Sequence, residues 1–221
     1  MTAIDDPKFQ DNRRYRYPVH SNLYRAEYPL IADWVRPGSR VIDFGCGDGS
    51  LLELLGQRSE TISVGYDISQ SGIDACKNKS IHGVCDRIDK HHIELSDKSF
   101  EYAICNVTIQ MVEFPERLLQ EMARVSTYQI ISFPNFAYYK NRLDMFLKGR
   151  MPRPMLFGYQ WFSTGHIHQL SVKDFREFIQ SQPTIEIQDE RHIGSENMLI
   201  KPLVPVLSNI FSKISIFLLS S

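Results

Sequence analysis

The chain has 221 residues, and its 25 basic and 26 acidic side chains leave a formal net charge of -1. A content of 43% hydrophobic and 23% charged residues is typical of globular proteins and argues against a disordered, collagen-like or uniformly nucleic-acid-binding chain. The polar first twenty residues are not a signal peptide, and no apolar run is long enough to span a bilayer. Four cysteines without CxxC spacing favour a reduced compartment. We expect a cytoplasmic protein with one domain over residues 1–221, in which residues 1–20 need not be ordered.

From residue 40 onward, short apolar runs alternate with helical patterns, which predicts an α/β fold with a mostly parallel sheet. Most runs are continuously apolar, as in strands that are covered on both faces. The predicted strands are Arg40–Phe44, Thr61–Tyr66, Ile81–Cys85, Phe100–Cys105, Tyr128–Phe133, Thr184–Gln188 and Ile214–Leu219.

Helical patterns fill the intervals between these runs. The leucine-rich segment Ser50–Leu55 is predicted to end at Gly56, and Pro115–Val125 places its apolar side chains at helical spacing. A further helix before the first strand carries Ile31 and Trp34 on its apolar face, and we expect Pro29 to break or kink it.

Residues 134–168 depart from the alternation, with a local net charge of +4 against -5 for the rest of the chain. Their first half is predicted to be a helix with Asn135 as N-cap and Gly149 as terminator, and with Phe136, Tyr139, Leu143 and Phe146 on one face. Their second half, 151–165, is predicted to be a long irregular loop of the kind that forms lids or binding surfaces.

The basic side chains of this segment have several interpretations. They are Lys140, Arg142, Lys148, Arg150 and Arg153, with eight aromatic residues interleaved. They could form the solvated face of a helix, an RNA-binding surface, or a site for an anionic substrate or an acidic partner protein. The isoelectric point of about 6.7 is low for a nucleic-acid-binding protein, so we do not expect nucleic acid as a partner.

The most informative segment is Val41–Ser50, VIDFGCGDGS, a strand that runs through glycines into a helix. Three glycines in five residues let the backbone turn sharply and approach a ligand near a helix N-terminus. The next strand leads to Asp67, eighteen residues after Gly49, where a carboxylate can accept hydrogen bonds from both ribose hydroxyls. This order of features predicts a small adenosine-bearing ligand.

A nicotinamide dinucleotide and S-adenosylmethionine (SAM) are the two candidates for that ligand. The dinucleotide fingerprint GxGxxG fails because its sixth position is Ser50. Asp43, two residues before the first glycine, would attract the sulfonium and amino groups of SAM and would repel a pyrophosphate. The residues therefore favour SAM.

Seven segments of the chain are informative together: RVIDFGCGDGSLLELL, VGYDIS, GVCDRID, FEYAICNVTIQMV, PERLLQEMARV, IISFPNFAYYKNRLDMFLKGRMP and HIH. Over about residues 30 to 178, they resemble the MetW family of class I SAM-dependent methyltransferases. The resemblance implies a Rossmann-like sheet of seven strands, the last one antiparallel, with helices on both faces. It also implies a cytoplasmic role in methionine biosynthesis and association with a homoserine O-acyltransferase.

The resemblance further assigns the residues that would hold SAM. The methionyl part would lie against Asp43, Gly45, Cys46, Gly47 and Gly49. The ribose would be held by Asp67, the adenine would be contacted by Ile68 and Asp86, and the pocket below the sulfonium would be closed by Asn106. For Asp86 a helix cap or turn is the alternative, and Cys46 is expected to be a small buried residue rather than a nucleophile.

Nothing in the sequence names the methyl acceptor. The Asp/Asn-Pro-Pro-Tyr loop that grips planar amino groups is absent after Asn106, which lowers the weight of base methylation. For an acid or hydroxyl acceptor, the candidate catalytic residues are Tyr139, Arg142, Tyr159, His166 and His168. The two histidines could bind a metal, act as a base, form a structural pair or line the pocket, and without an evident third ligand we expect no metal.

Two functions stay open at this point. The first is a SAM-dependent methyltransferase with an unidentified small-molecule acceptor, and the second is a non-catalytic SAM-binding regulator of a homoserine O-acyltransferase. An enzyme needs a closed acceptor cavity whereas a regulator needs an exposed docking face, and residues 134–168 could supply either.

Overall fold

A computed structural model describes residues 25–89, 92–152, 166–194 and 200–221. The strands are β1 (Arg40–Phe44), β2 (Ile62–Asp67), β3 (His82–Cys85), β4 (Phe100–Asn106), β5 (Ser126–Pro134), β6 (Glu186–Gly194) and β7 (Ser212–Ser220). The helices are α1 (Tyr28–Ala32), α2 (Ser50–Ser59), α3 (Gln70–Asn78), α4 (Pro115–Val125), α5 (Tyr139–Lys148), α6 (Val172–Gln180) and α7 (Ser208–Phe211).

All seven strands form one sheet in the order β3-β2-β1-β4-β5-β7-β6. Strand β7 runs antiparallel to β5 and β6, and the other neighbouring pairs are parallel. The predicted α/β fold with an antiparallel last strand is therefore confirmed. The direction of winding reverses between β1 and β4, and such a switch point leaves a crevice at the carboxyl ends of the strands where ligands bind.

Helices cover both faces of the sheet because successive strand residues point to opposite sides. Ile42, Ala103 and Ile131 belong to a core that includes apolar side chains of α4 and α6. Their chain neighbours Val41 and Ile104 belong to a second core that includes side chains of α1, α2 and α3. Burial on both faces accounts for the continuously apolar strand sequences.

Three phenylalanines join β5, α6 and β7 inside the first core. Phe133 lies 4.8 Å from Phe175 and 5.7 Å from Phe217 between ring centroids, and Phe175 lies 4.7 Å from Phe217. Each ring is at most 1% exposed. This cluster anchors the antiparallel end of the sheet.

Strand β6 is the one whose extent the sequence underestimates most. It pairs with β7 from Glu186 opposite Ser220 to Gly194 opposite Ser212, so it continues six residues past the predicted end at Gln188. Its second half, DERHIG, is mostly polar, because it pairs at the edge of the sheet, where hydrogen bonding rather than burial defines the strand.

Two helix boundaries differ from the prediction. Helix α2 passes through Gly56 and ends at Ser59, because Glu60 adopts the left-handed conformation and its N–H donates to the Gly56 carbonyl. The helical run before the first strand does not continue through Pro29, as predicted: α1 begins at Tyr28, so Pro29 lies in its first turn, where a missing N–H costs no hydrogen bond. The helix ends at Ala32, before Trp34.

The segment after β5 also differs in part. Helix α5 begins at Tyr139, and Asn135 is not its N-cap. The side-chain Nδ2 of Asn135 instead donates to the carbonyls of Ser208, Asn209 and Ser212. Gly149 ends the helix as predicted, with a φ of 58°. Residues 1–20 and, apart from its first two residues, the predicted loop 151–165 lie outside the described residues.

None of the helices in the described ranges combines the length and the apolar character that crossing a membrane requires.

Burial in the three-phenylalanine cluster predicts a clear difference between two substitutions. Phe217→Ala should lower the free energy of unfolding by about 3–5 kcal/mol, because it removes a fully buried ring and leaves a cavity. Phe146→Ala, at a ring that is 86% exposed, should change it by less than about 0.5 kcal/mol. Urea unfolding followed by circular dichroism measures both, and equal losses would contradict the packing described.

Candidate functional site

The glycine loop between β1 and α2 is fixed from two directions. The amides of Gly45 and Cys46 both donate to the Tyr66 carbonyl, at 2.7 and 3.0 Å. Gly45 has a φ of 87°, and a Cβ at this position would lie 2.3 Å from Thr108 Oγ1. A side chain is therefore excluded by both the backbone conformation and the loop that follows β4.

Asp67 at the end of β2 is oriented by two backbone amides. Its Oδ2 accepts a hydrogen bond from the Gly47 amide at 2.8 Å, and its Oδ1 accepts one from Ser69 at 2.7 Å. These two bonds set the direction of the carboxylate at the end of the strand.

Asp43 at the end of β1 is a buried acid, 2% exposed. Burial raises the pKa of its carboxyl to about 8, with a further increase from the nearby charge of Asp67 and a decrease from Arg25. Its Oδ1 has no hydrogen-bond partner among the residues that the structure describes. A buried carboxyl oxygen in this state fits a ligand that brings a cation or a hydrogen-bond donor.

Asn106 at the end of β4 connects the sheet with the segment before α1. Its Oδ1 accepts a hydrogen bond from Ser132 Oγ, and its Nδ2 lies 3.4 Å from Glu27 Oε1. Glu27 is 2% exposed and has Arg25 as a second neighbour at 3.9 Å. This segment therefore closes over the site from the amino-terminal side, which nothing in the sequence indicated.

Val107, directly after Asn106, has a φ of 54°. Its amide is held by the Ser132 carbonyl and hydroxyl, both at 3.0 Å. A positive φ in a β-branched residue costs about 1–3 kcal/mol, and such strain clusters at functional sites. The two hydrogen bonds from Ser132 hold the turn after β4 in this conformation.

The expected adenine contacts lie beside Asp67. Asp86 is half-buried, its amide donates to the Asp67 carbonyl at 3.0 Å, and its Oδ1 accepts the Arg87 amide at 2.8 Å. Ile68 is half-buried as well, and its carbonyl accepts from Cys85 Sγ at 3.6 Å. Ile68 and Asp86 directly follow the carboxyl ends of β2 and β3.

Lys79, which the sequence did not indicate, contacts the end of the glycine loop and the start of α2. Lys79 Nζ donates to Ser50 Oγ at 2.9 Å and lies 3.2 Å from Glu53 and 3.7 Å from Asp48. Asp48 in turn accepts from the Ser50 amide and hydroxyl. Because Lys79 follows α3, far along the chain from Ser50, no local pattern reveals this contact.

Cys46 is buried against a second cysteine. Its Sγ lies 3.9 Å from Cys76 Sγ, and the contact with Cys76, together with burial, raises the pKa of the Cys46 thiol. The thiolate needed for nucleophilic attack is therefore disfavoured, in agreement with a packing role.

His166 and His168 are held against the turn after β4 by a buried glutamine. The amides of Ile167 and His168 both donate to the Gln110 carbonyl, at 3.0 and 3.1 Å, and Gln110 Nε2 donates to the Pro134 carbonyl at 3.1 Å. Gln110 is 3% exposed. Within the described ranges, Gln110 Oε1 and His168 Nε2 are buried without a hydrogen-bond partner.

The other described candidate catalytic residues, Arg142 and Tyr139, have their contacts elsewhere. The Arg142 guanidinium donates to the Ala137 carbonyl at 2.6 Å and to Asn209 at 3.5 Å, and the Tyr139 ring packs on Phe211 of α7. Both side chains therefore contact α7 and its surroundings. Tyr159 lies outside the described residues, and those residues contain no group of three or more potential metal ligands.

Comparison with known proteins gives one family and a set of structural relatives. The family model described as "Methionine biosynthesis protein MetW" matches residues 25–219. The chain is 32% identical, over 169 residues, to the bifunctional methionine biosynthesis protein MetXA/MetW of Rhodopirellula baltica. It is 31% identical, over 109 residues, to the carboxy-S-adenosyl-L-methionine synthase of Trichodesmium erythraeum. The aligned parts cover 72% and 43% of the chain but only 27% and 42% of these two relatives.

Solved structures share the fold at low sequence identity. A SAM-dependent methyltransferase of Thermotoga maritima has a TM-score of 0.63 at 17% identity, and covers 91% of this chain and 90% of its own. One of Mesorhizobium loti has a TM-score of 0.61 at 16% identity, with 89% and 98% covered. The chain therefore has the Rossmann-like fold of SAM-dependent methyltransferases.

The raised pKa of Asp43 predicts how stability depends on pH. The folded protein binds this proton more tightly than the unfolded chain, in which the pKa is near 3.8. The free energy of unfolding should therefore fall as the pH rises from about 4 to 8, by up to about 1.4 kcal/mol per pH unit from this group. In Asp43→Asn this contribution should disappear, so that the variant exceeds the wild type in stability at pH 8. Urea unfolding at several pH values measures both proteins, and parallel curves would show that Asp43 ionises normally.

Proposed function

The chain belongs to the family of the methionine biosynthesis protein MetW, and from this premise we propose that it binds SAM and methylates a small-molecule acceptor. The proposed site is formed by the carboxyl ends of β1, β2 and β4. The proposed location is the cytoplasm, in accord with four cysteines that form no disulfide.

The observation that carries the proposal is the buried Asp43 carboxyl with its unpartnered Oδ1. The amino group of SAM supplies both a donor for this oxygen and the positive charge that ionises the carboxyl. A pyrophosphate would instead bring negative charge against the Asp67 carboxylate and would supply no cation to ionise Asp43. The same pair of acids therefore supports SAM over a dinucleotide.

In this proposal, residues at different strand ends contact different parts of SAM. Asp67, held by the amides of Gly47 and Ser69, accepts the ribose hydroxyls. Gly45 and Gly47 let the backbone approach the methionyl part, and Asn106 closes the space below the sulfonium. Ile68 and Asp86 contact the adenine. SAM supplies an electrophilic methyl group, so the protein mainly has to align the acceptor and exclude water.

Gln110 and His168 are the groups on this chain best suited to orient an acceptor. Each has a buried polar atom without a partner in the described part of the chain, and leaving such an atom unsatisfied costs about 1–3 kcal/mol. A hydroxyl or amine on the acceptor would donate to Gln110 Oε1. A hydrogen-bond donor on the acceptor would likewise satisfy His168 Nε2.

A regulatory role is the second candidate, favoured by the exposure of α5. An enzyme lid would be expected to turn its apolar side inward, yet Leu143 and Phe146 are 50% and 86% exposed. The MetXA/MetW relative combines two methionine biosynthesis activities in one chain. In this alternative the protein binds SAM without transferring a methyl group and modulates a homoserine O-acyltransferase as its partner.

Incubation with methyl-labelled SAM and a cell metabolite extract tests the catalytic proposal. The wild type should yield a labelled small molecule, and Asp67→Ala should lose at least about 90% of it, because the ribose contact is removed. Asp74→Ala, an exposed acid on α3, should keep full activity. The absence of any labelled product, together with a stable complex with the acyltransferase, would reject catalysis in favour of the regulatory role.

A further inference from the structure

Helix α5 presents an apolar face to solvent. Leu143, Phe146 and Leu147 recur at helical spacing and are 50%, 86% and 72% exposed. Isolated exposed hydrophobic residues are ordinary, but a group of them on one surface marks an interaction site. We call this group with its flanking lysines and arginine, Lys140, Lys148 and Arg150, the α5 surface.

The first turn of α5 is attached to the domain. Asn141 is the only buried residue of the helix, and its side-chain amide donates to the Phe136 carbonyl. Tyr139 and Arg142 contact α7 through Phe211 and Asn209. These contacts hold the first turn, and the exposed apolar residues follow it along the helix.

A second group of exposed apolar residues directly precedes α7. Leu203, Val206 and Leu207 are 40%, 79% and 44% exposed. Tyr139 in the first turn of α5 contacts Phe211 of α7, so this second group precedes a helix that α5 touches. Arrays of this kind, with anchors at i, i+3 and i+4, fit a hydrophobic groove of a folded partner.

The charges around the α5 surface restrict its occupant. Lys140, Lys148 and Arg150 are all exposed, and only Lys148 forms an ion pair within the described residues, with Asp144 on its own helix. In a symmetric dimer through this surface, the basic residues of both copies would face one another, which is unfavourable. A partner with acidic residues around an apolar groove is complementary to it.

We propose that the α5 surface is the docking face for the homoserine O-acyltransferase, and that the acyltransferase meets it with an apolar groove edged by Asp and Glu. The proposal rests on the partnership named above as the second candidate function. The MetXA/MetW relative, in which this chain aligns with 27% of a longer protein, keeps the two activities in one molecule. A tether of this kind raises the effective concentration of two surfaces that bind each other.

Calorimetric titration of the full chain with the purified acyltransferase from the same cell tests the proposal. Phe146→Ser should weaken association about tenfold or more, as the loss of a central aromatic anchor does. Ile62→Ser is the matched control, because Ile62 is 68% exposed at the opposite edge of the sheet, and it should bind as the wild type does. Lys140→Glu with Arg150→Glu should weaken binding and reduce its dependence on salt.

Each outcome decides between distinct statements. If the wild type and Phe146→Ser bind the acyltransferase equally, the partnership stands and the α5 surface is not its docking face. If the wild type does not bind at all, both the regulatory role and the docking proposal are overturned. Concentration-dependent dimers that Phe146→Ser abolishes would assign the surface to a second copy. Binding to vesicles of phosphatidylcholine and phosphatidylglycerol that Phe146→Ser abolishes would assign it to a membrane. Circular dichroism of the variants shows that they remain folded.

Discussion

Two carboxyl groups, Asp43 and Asp67, are buried at the carboxyl ends of adjacent strands, and the candidate site is arranged around the cost of placing them there. The Asp67 carboxylate is stabilised by the amides of Gly47 and Ser69. Burial and the neighbouring charge of Asp67 disfavour the ionised form of Asp43. Ionisation of both carboxyl groups is unfavourable where they are close together and shielded from water. The ligand-free protein meets this constraint by holding a proton on Asp43, and a cationic ligand can take the place of that proton.

The residues around the two acids hold the glycine loop and the end of β4 in place. Glycine at position 45 lets the backbone pass beside Thr108, Lys79 holds the start of α2 under the loop, and Glu27 reaches Asn106 from the segment before α1. The two cores on opposite faces of the sheet fix the strand ends that carry the acids. Hydrogen bonds therefore hold the site where it would bind the ligand, while Leu143, Phe146 and Leu147 of α5 are exposed.

Features that depend on local sequence could be predicted, and those that depend on distant contacts could not. The apolar runs predicted all seven strands because burial on both faces leaves a continuous signature, but the polar half of β6 has none. In isolation Gly56 resembles a helix terminator and Asn135 resembles an N-cap, yet Glu60 is the C-cap of α2 and Tyr138 is the N-cap of α5. Asp43, Asp67 and Asn106 could be named because each stands at a strand end. Gln110, Glu27 and Lys79 were missed, since their partners lie 24, 79 and 29 residues away.

The most direct test of this account is the number of protons released when SAM binds. Calorimetric titration at pH 7 in two buffers of different ionisation enthalpy gives that number from the difference in heat. Because Asp43 holds a proton in the ligand-free protein and must ionise against the amino group of SAM, the account predicts release of about one proton. Tight binding with the same heat in both buffers would contradict it, since Asp43 would then not exchange its proton for the ligand.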